Sequence, residues 1–379
     1  MSESVETTGL GRALVPVFVA LGEAVSSALL SPARIKAMLP PIHEALPKSL
    51  ILPGMPALAL DEIRSRAKIA PAISTTWSMR SIAARAGSRI SADMLFAVLG
   101  ADARSYVRAQ LLAGRLGLSY SIYAVDDPFQ WDGAGAGVRK KLYPELLASF
   151  GAAEHIFAIT PELSAELSSR VERSVTPLPL PYTEPSVDSE RTKDQLIYVG
   201  NLGHLYAAAF RDLVDAVSRF RIASGRNLVL RATLPAENLK RVIGDIPNHV
   251  IPGRIAARQD LAREIAESRA AICPIAFSDP SGMTETSFPS KLLDYLAHAR
   301  QILIWGPPKA VAVRYFVEHG LGYVASTPDQ LTDSLDRLLA APQDFRESYR
   351  KILKRNHGPE AFDAIIQRML SGFAGAAER

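Results

Sequence analysis

Short apolar runs recur along most of the chain, and several of them are followed by a stretch with the apolar spacing of a helix. This alternation is typical of parallel β-sheets whose faces are covered by helices. The runs that predict strands lie at 49–52, 92–98, 119–125, 155–159, 195–199, 227–232, 249–251, 270–274 and 301–305. Helices are predicted at 103–116 and 161–170, and from near Leu205, Gln259, Lys291, Pro328 and Pro359.

A proline-rich connection from Thr176 to Pro185 interrupts the pattern. Its prolines exclude a helix and stiffen an extended chain. The alternation restarts after it, and 379 residues suit two domains of ordinary size. We therefore predict two α/β, Rossmann-like domains, 1–183 and 184–379, that face one another across a cleft, with the last helix packing back on the first domain.

The composition is that of a globular protein, with 48% hydrophobic and 22% charged residues. Cys273 is the only cysteine, which excludes an internal disulfide and a cysteine-based zinc site and fits a cytoplasmic location. The net charge of +4 comes without a long basic run, so no nucleic-acid partner is expected. The apolar stretch from Ala13 to Leu21 is about half of what spans a bilayer and contains Pro16, which argues against a transmembrane helix.

A local excess of basic residues lies between Ile63 and Arg115, where only Asp93 and Asp102 are acidic. Such an excess fits a peripheral contact with the cytoplasmic face of the inner membrane, or a pyrophosphate-linked acceptor. Solvated helix faces explain it equally simply. The bases are Arg64, Arg66, Lys68, Arg80, Arg85, Arg89, Arg104, Arg108 and Arg115.

The second half opens with a β-run that enters a glycine turn at Gly200-Asn201-Leu-Gly203 and leads into a helix. In such a turn the backbone can approach a diphosphate, and the free N–H groups of the helix start favour negative charge. The alternative is that the two glycines only shape a tight turn, since the full dinucleotide fingerprint is absent.

A second element runs from Glu285 through Ser287 to Ala297. Pro289 near a helix start leaves the N–H groups of Ser290 and Lys291 as donors for phosphate oxygens. Asp294 lies about one helical turn further along, where a carboxylate can accept hydrogen bonds from ribose hydroxyls. The ammonium of Lys291 can neutralise a diphosphate leaving group.

This element, Phe288-Pro-Ser-Lys-Leu-Leu-Asp-Tyr-Leu, resembles the donor-binding helix of GT-B glycosyltransferases such as glycosyltransferase family 4. Further short matches follow in the family's order along most of the chain. The resemblance implies the GT-B fold, with a nucleotide-sugar donor bound mainly by the C-terminal domain. The other matches are His155-Ile-Phe-Ala-Ile-Thr-Pro-Glu162, Tyr198-Val-Gly-Asn-Leu-Gly203, Val250-Ile-Pro-Gly-Arg254 and Ala271-Ile-Cys-Pro274.

The chain departs from the family pattern at two places. The family's paired acids place Asp294 at the ribose position, but the first acid position falls on Thr286, with Glu285 one residue early. A basic pair typical of the family is missing from 202–210. We therefore expect Arg254 and Lys291 to supply the positive charge at the diphosphate, although Arg254 is equally well explained as a base in a surface loop.

The strand predicted at 119–125 ends in Asp126 and Asp127, where α/β sheets place ligands. It resembles the strand end of glucuronosyltransferase-like GT-B enzymes of exopolysaccharide assembly, whose catalytic base lies four residues after a tyrosine. That position here is Asp127, four residues after Tyr123. The resemblance implies an inverting base; a retaining enzyme would use Asp127 to orient the acceptor, and a capping role before Pro128 is the structural alternative.

No cluster of acids and histidines has the spacing of metal ligands, so we expect neither a metal nor a cofactor beside the donor substrate. The stretch from Thr7 to Glu23 resembles the glycine loop and helix that follow the first strand of GT-B enzymes. It makes Gly9 and Gly11 candidate acceptor contacts. Because no apolar strand precedes it, we expect an N-terminal sheet without its usual first strand, or a start codon assigned too late.

Together these patterns predict a glycosyltransferase that moves a sugar from a nucleotide-sugar donor to a saccharide or lipid-linked acceptor. The resemblance implies a role in bacterial surface polysaccharide synthesis. Two alternatives stay open: a nucleotide-sugar epimerase with the same fold, and a binding or scaffold protein that has lost its catalytic groups.

Overall fold

The computed structural model describes residues 27–31, 70–74, 94–100, 103–117, 119–130, 136–182, 186–255, 257–340, 342–358, 360, 361 and 365. The chain divides into two compact units, one formed by Met1–Tyr182 with His357–Arg379 and the other by Thr183–Asn356. The predicted strand at 49–52 and the glycines Gly9 and Gly11 lie outside the described residues. None of the described helices combines the length and the apolar character that a bilayer span requires.

The first unit is built on a parallel sheet, as its alternating pattern predicts. The strands follow one another in the order β2-β1-β3-β4-β5-β6. They are β1 (Ser27–Ser31), β2 (Ala70–Ser74), β3 (Met94–Leu99), β4 (Ser119–Ala124), β5 (His155–Ala158) and β6 (Thr176–Pro177). The described helices of this unit are α1 (Ala103–Leu116), α2 (Ala136–Ala152) and α3 (Pro161–Val171).

Strand β4 lies inside this sheet, and its residues are buried on both faces, which explains its continuous apolar character. The Tyr123 hydroxyl is satisfied by donating to the Leu178 carbonyl at 2.8 Å. Helix α3 begins as its sequence dictates, because Thr160 accepts a hydrogen bond from the Leu163 N–H and Pro161 occupies the first helical position.

The second unit has a parallel six-stranded sheet in the order β12-β11-β10-β7-β8-β9. This is the doubly wound order, in which β7 and β10 are neighbours and the chain leaves them in opposite directions. The strands are β7 (Lys193–Tyr198), β8 (Val229–Ala232), β9 (Val250–Pro252), β10 (Ser268–Pro274), β11 (Ile302–Trp305) and β12 (Tyr323–Ala325).

Helices cover both faces of this second sheet. A 3₁₀ turn at His204–Tyr206 precedes the first of them. They are α4 (Ala207–Ser224), α5 (Ala236–Ile243), α6 (Arg258–Glu267), α7 (Met283–Thr286), α8 (Lys291–His298), α9 (Val311–Glu318), α10 (Pro328–Ala340) and α11 (Arg346–His357). The buried face of α4, with Phe210, Leu213 and Val217, packs into one hydrophobic core with β7, β8 and α10.

Long periodic segments match their prediction, and α1 has the predicted bounds. The helix expected near Leu205 begins instead with the 3₁₀ turn and becomes α-helical at Ala207. Helix α2 was not predicted for two reasons. Pro144 lies inside it, and its apolar residues are not concentrated on one face. Helix α11 was not predicted because charged residues occupy half of its length.

The chain returns to the first unit at His357. The His357 carbonyl accepts a hydrogen bond from the Tyr182 N–H at 2.7 Å, and its ring Nδ1 lies 2.8 Å from the Leu180 carbonyl oxygen. These contacts join the end of α11 to the segment just before Thr183, so the two places where the chain passes between units are tied together.

Candidate functional site

The neighbouring strands β7 and β10 form the switch point of the second sheet, and the crevice beyond the carboxyl ends of such strands is where α/β folds bind ligands. Tyr295, on α8, spans this point. Its hydroxyl accepts a hydrogen bond from the Val199 N–H at 2.8 Å and donates one to the Ile272 carbonyl at 3.2 Å. Helix α8 is therefore fixed at once to the ends of both strands.

The glycine turn after β7 lies against the start of α8. Gly200 has a φ of +101°, which residues with a Cβ rarely adopt, and a Cβ added there would lie 3.9 Å from Lys291 Cε. The Tyr198 hydroxyl donates to the Asn201 carbonyl at 2.8 Å, which closes the turn. The Gly200 N–H is already engaged by the Thr233 hydroxyl at 3.3 Å.

Lys291, the first residue of α8, reaches back to the end of β7. Its Nζ lies 3.0 Å from the Tyr198 hydroxyl and 4.2 Å from the centroid of the same ring, with the Tyr206 ring centroid at 5.8 Å. Burial would lower the pKa of Lys291, but the neighbouring Tyr198 hydroxyl and Cys273 thiol outweigh it and raise that pKa above its usual value. Lys291 therefore carries a full positive charge at neutral pH.

The backbone at the start of α8 adds to this positive charge. Ser290 is the N-cap residue, and its side chain makes no capping hydrogen bond. The N–H groups of Leu292 and Leu293 donate to the carbonyls of Pro289 and Ser290 at 2.9 and 3.1 Å. The N–H groups ahead of them, at Ser290 and Lys291, are the ones that can face an anion. Pro289 precedes the cap and fixes the direction in which the chain enters the helix. The turn at Gly200, the helix start and the Lys291 ammonium thus form one anion-binding environment.

Asp294 lies one turn into α8 and is 6% exposed. Its Oδ1 is 3.9 Å from the Arg258 guanidinium, at the first residue of α6. Arg258 rather than Arg254 therefore supplies the base closest to this carboxylate. Arg254 is exposed in the loop after β9, and no described contact brings it to Lys291.

The loop between β10 and α8 is held by its own polar residues. Asp279 accepts hydrogen bonds from the Ser281 hydroxyl and from the N–H groups of Thr284 and Ser281, and these bonds together outweigh the effect of burial and lower its pKa. Glu285 pairs with Lys309, in the loop after β11, and not with the start of α8. The Ser287 N–H donates to the Met283 carbonyl at 2.7 Å.

Asn201 and Gly203 are exposed, and a Cβ on Gly203 would meet no atom within 4 Å. Of the predicted donor residues, the structure brings together Gly200, Lys291 and the helix start that carries Pro289, Ser290 and Asp294. It places Glu285 in a separate ion pair and leaves Arg254 in solvent.

In the first unit, Asp127 follows β4 and is 5% exposed. Its Oδ1 accepts a hydrogen bond from the Phe129 N–H at 2.8 Å, so the structural role expected for this residue is present. Its Oδ2 is buried and has no hydrogen-bond partner, and the nearest base, Arg170, is 3.8 Å away. Burial raises the pKa of Asp127, although the Phe129 N–H and Arg170 lower it.

Asp126 is half-buried on the same loop. Its Oδ2 would be 3.6 Å from a Cβ added to Gly100, the residue after β3. The two acids therefore differ in environment, and Asp127 is the one with an unsatisfied oxygen. Within the described residues no group of three His, Cys, Asp or Glu side chains is arranged to hold a metal ion.

Sequence reasoning did not identify Tyr198, Thr233, Arg258, Arg170 or Tyr295 as site residues. Tyr198 and Tyr295 lie within the quoted motifs. Their hydroxyl groups, however, contact residues more than 90 positions away in the sequence, Lys291 for Tyr198 and Val199 for Tyr295. Arg258 and Arg170 lie on helices that otherwise show only ordinary amphipathic spacing. No local signal in the sequence distinguishes them from other surface bases.

No known family profile matches the sequence, and no curated protein sequence matches it. Solved structures do match. An alpha-glucosyltransferase in complex with UDP and a 13-mer DNA has a TM-score of 0.57 at 10% identity, covering 92% of this chain and 99% of that chain. An alpha,alpha-trehalose 6-phosphate synthase from Burkholderia multivorans has a TM-score of 0.55 at 11% identity, covering 79% and 74%.

A UDP-forming alpha,alpha-trehalose-phosphate synthase from Burkholderia xenovorans, in complex with glucose-6-phosphate, has a TM-score of 0.52 at 11% identity and covers 77% of this chain and 78% of that chain. At such identities the similarity concerns the fold. The chain has the GT-B fold of these glycosyltransferases, with two Rossmann-like domains, as the sequence predicted.

Proposed function

We propose that the protein is a glycosyltransferase whose second unit, Thr183–Asn356, binds a nucleotide-sugar donor through its diphosphate. One observation carries this proposal: the Gly200 turn and the start of α8 meet at the switch point of a doubly wound sheet, with a charged Lys291 between them. The GT-B fold supports the same conclusion, since the solved neighbours include glycosyltransferases and one of them is in complex with UDP.

The chemistry of donor binding follows from these groups. The diphosphate accepts hydrogen bonds from the N–H groups of Ser290 and Lys291 and is paired with the Lys291 ammonium, which moves from the Tyr198 hydroxyl to the phosphate oxygens. As the sugar leaves, negative charge grows on the diphosphate, and the same cation and helix start stabilise it. Asp294, oriented by Arg258, is the acceptor for the ribose hydroxyls.

Asp127 is the proposed catalytic base. The acceptor hydroxyl oxygen attacks the anomeric carbon, the new C–O bond forms, and the bond to the diphosphate breaks with its electron pair leaving on the phosphate oxygen. The hydroxyl proton passes to Asp127 Oδ2, the buried oxygen that has no hydrogen-bond partner. Such a direct displacement inverts the configuration of the anomeric carbon.

The finer assignments rest on the sequence resemblance. We propose a saccharide or lipid-linked acceptor, hexosyl or glycuronosyl transfer without a metal ion, and a place in bacterial surface polysaccharide synthesis. We also propose that the protein acts in the cytoplasm, with a peripheral contact at the inner membrane. Product analysis with lipid-linked and free saccharide acceptors tests the first of these assignments.

Donor binding is tested with Lys291→Met. A charge-assisted hydrogen bond contributes about 1.5–3 kcal/mol, so we expect the affinity for a nucleotide-sugar to fall roughly 10- to 100-fold. The measurement is calorimetric titration with UDP-, GDP- and dTDP-sugars, after a thermal-shift screen has selected the best donor. Lys351→Met, at an exposed position of α11, is the matched control and is expected to bind as the native protein does. Equal affinity of the Lys291 variant would contradict the proposal.

Turnover separates transfer from the two alternatives. A transferase releases free nucleoside diphosphate in proportion to glycosylated acceptor, whereas an epimerase converts the donor sugar with no acceptor present. Tight donor binding without either product indicates a binding protein. Proton NMR of the new glycosidic bond reads the anomeric configuration, and a retained configuration would leave Asp127 only an orienting role.

A further inference from the structure

Four residues interact with the Asp127 carboxylate in the first unit. Phe129 and Gln130 follow it on the same loop, while Glu166 and Arg170 lie one turn apart on α3. Arg170 Nη2 is 3.8 Å from Asp127 Oδ2, close enough for an electrostatic interaction but too far for a hydrogen bond. The guanidinium therefore lies close to the carboxylate without forming a hydrogen bond to Oδ2.

Contacts with Glu166 explain why the Arg170 guanidinium stays at this distance from Asp127. Glu166 Oε1 accepts hydrogen bonds from Arg170 Nε at 3.0 Å and from Arg170 Nη2, the same atom that faces Asp127. The Gln130 side-chain amide donates to this oxygen at 3.3 Å and ties it to the loop. The Phe129 ring lies beneath the guanidinium, 5.6 Å from Arg170 Cζ to the ring centroid. Arg170 is thus held by Glu166 and the Phe129 ring, and Glu166 is in turn fixed by Gln130.

We propose that Glu166 is a positioning residue, which holds the Arg170 guanidinium away from Asp127 and so keeps Oδ2 open to receive the proton of the acceptor hydroxyl. The inference rests on the proposed function, because it assigns Asp127 the role of base. A hydrogen-bonded Arg170 would occupy the oxygen that must take the proton and would stabilise its charge, which makes the carboxylate a weaker base. Glu166 prevents this and leaves Arg170 near enough to stabilise the ionised form.

The charged groups around Asp127 act in opposite directions. Arg170 lowers the pKa of Asp127 and Glu166 raises it, while burial raises it and the N–H groups of Phe129 and Gln130 lower it. The half-buried Asp126 is the other acid on the loop. Removing Glu166 takes away one negative charge and also frees Arg170 to approach, and both changes lower the pKa of Asp127. Removing Arg170 raises that pKa.

The first test reads the carboxyl group directly and needs no activity. Protein labelled with ¹³C at the aspartate carboxyl carbons is titrated by NMR, and the Asp127 signal is identified by its loss in Asp127→Asn. We expect Glu166→Gln to lower the titration midpoint of Asp127 and Arg170→Gln to raise it. In the double variant the effect of Glu166→Gln should shrink, because no guanidinium is left to move. An unchanged midpoint in Glu166→Gln, or equal effects with and without Arg170, would overturn the inference.

The second test follows transfer. Glu166→Gln should lower kcat/KM at neutral pH about tenfold, part of the 10²- to 10⁴-fold that a positioned base contributes, and move the acidic limb of the pH profile to lower pH. Adding Arg170→Gln should restore most of the loss, a rescue that simple damage to α3 would not give. If the NMR midpoints move as expected but kcat/KM does not change, Glu166 positions Arg170 as proposed, and Asp127 is not the catalytic base.

Discussion

At the scale of single residues, the surroundings of Asp127 disfavour its charged form. Burial raises its pKa, and one of its oxygens has no hydrogen-bond partner. Buried polar groups are usually satisfied, so a buried carboxylate oxygen without a partner calls for an explanation. Its other oxygen performs a structural task by accepting the Phe129 N–H. The sequence offered a capping role and a catalytic role as alternatives. The first is filled by Oδ1, and the second, which we propose, would fall to Oδ2.

This environment predicts a pH-dependent difference between the native protein and Asp127→Asn. Because the folded pKa of Asp127 lies above its unfolded value, the folded protein binds the proton more readily, and the stability lost to the buried charge returns as the pH falls through the folded pKa. The amide does not titrate. We expect the native protein to gain stability relative to the variant as the pH falls from neutral towards the unfolded pKa of about 3.9, measured by urea unfolding. A constant difference across this range would refute the raised pKa.

At the scale of elements, the connection between β11 and β12 shows how tightly the second unit is packed. Gly322, with a φ of +54°, lies just before β12, and a Cβ there would be 2.4 Å from the Ile302 carbonyl oxygen and 2.7 Å from the Tyr349 hydroxyl. That hydroxyl accepts a hydrogen bond from the Ile302 N–H at 2.9 Å, which joins α11 to β11. One buried tyrosine thus ties α11, the described helix with the least apolar sequence, to β11.

Gly322→Ala should therefore destabilise the protein more than an ordinary glycine replacement. Gly225→Ala is the matched control, since Gly225 has a φ of +66° and no atom within 4 Å of the added Cβ. A left-handed conformation costs alanine about 1–2 kcal/mol in both variants, and the overpacked site adds roughly 1–3 kcal/mol at Gly322 alone. Urea unfolding compares the two, and equal losses would show that Gly322 is not confined as described.

The elements also show what sequence can predict. Apolar runs predicted most described strands, because a strand buried on both faces must be apolar throughout. Helix α1 matched in both bounds because its apolar spacing is regular. Helix α2 was missed because Pro144 is tolerated at an exposed position inside it. Contacts such as Lys291 with Tyr198, 93 residues apart, depend on the order of strands in the sheet, which no local pattern encodes.

At the scale of the whole molecule, each unit is a parallel sheet covered by helices, and the chain passes between the units twice. The short motifs with family resemblance lie at the end of β7 and around the start of α8 in the second unit. The resemblance could not assign the partners of their residues: Arg258 contacts Asp294 where Arg254 was expected to supply charge to the site, and Glu285 pairs with Lys309. The function proposed therefore depends on the geometry around Lys291 more than on any one motif.

The most direct test of this account is a crystal structure of the protein with a nucleotide-sugar or its nucleoside diphosphate. We expect the diphosphate at the start of α8, beside the turn at Gly200. Its phosphate oxygens should lie within hydrogen-bond distance of Lys291 Nζ and the Ser290 N–H. A ligand bound with Lys291 still on the Tyr198 hydroxyl and the diphosphate away from both elements would contradict it.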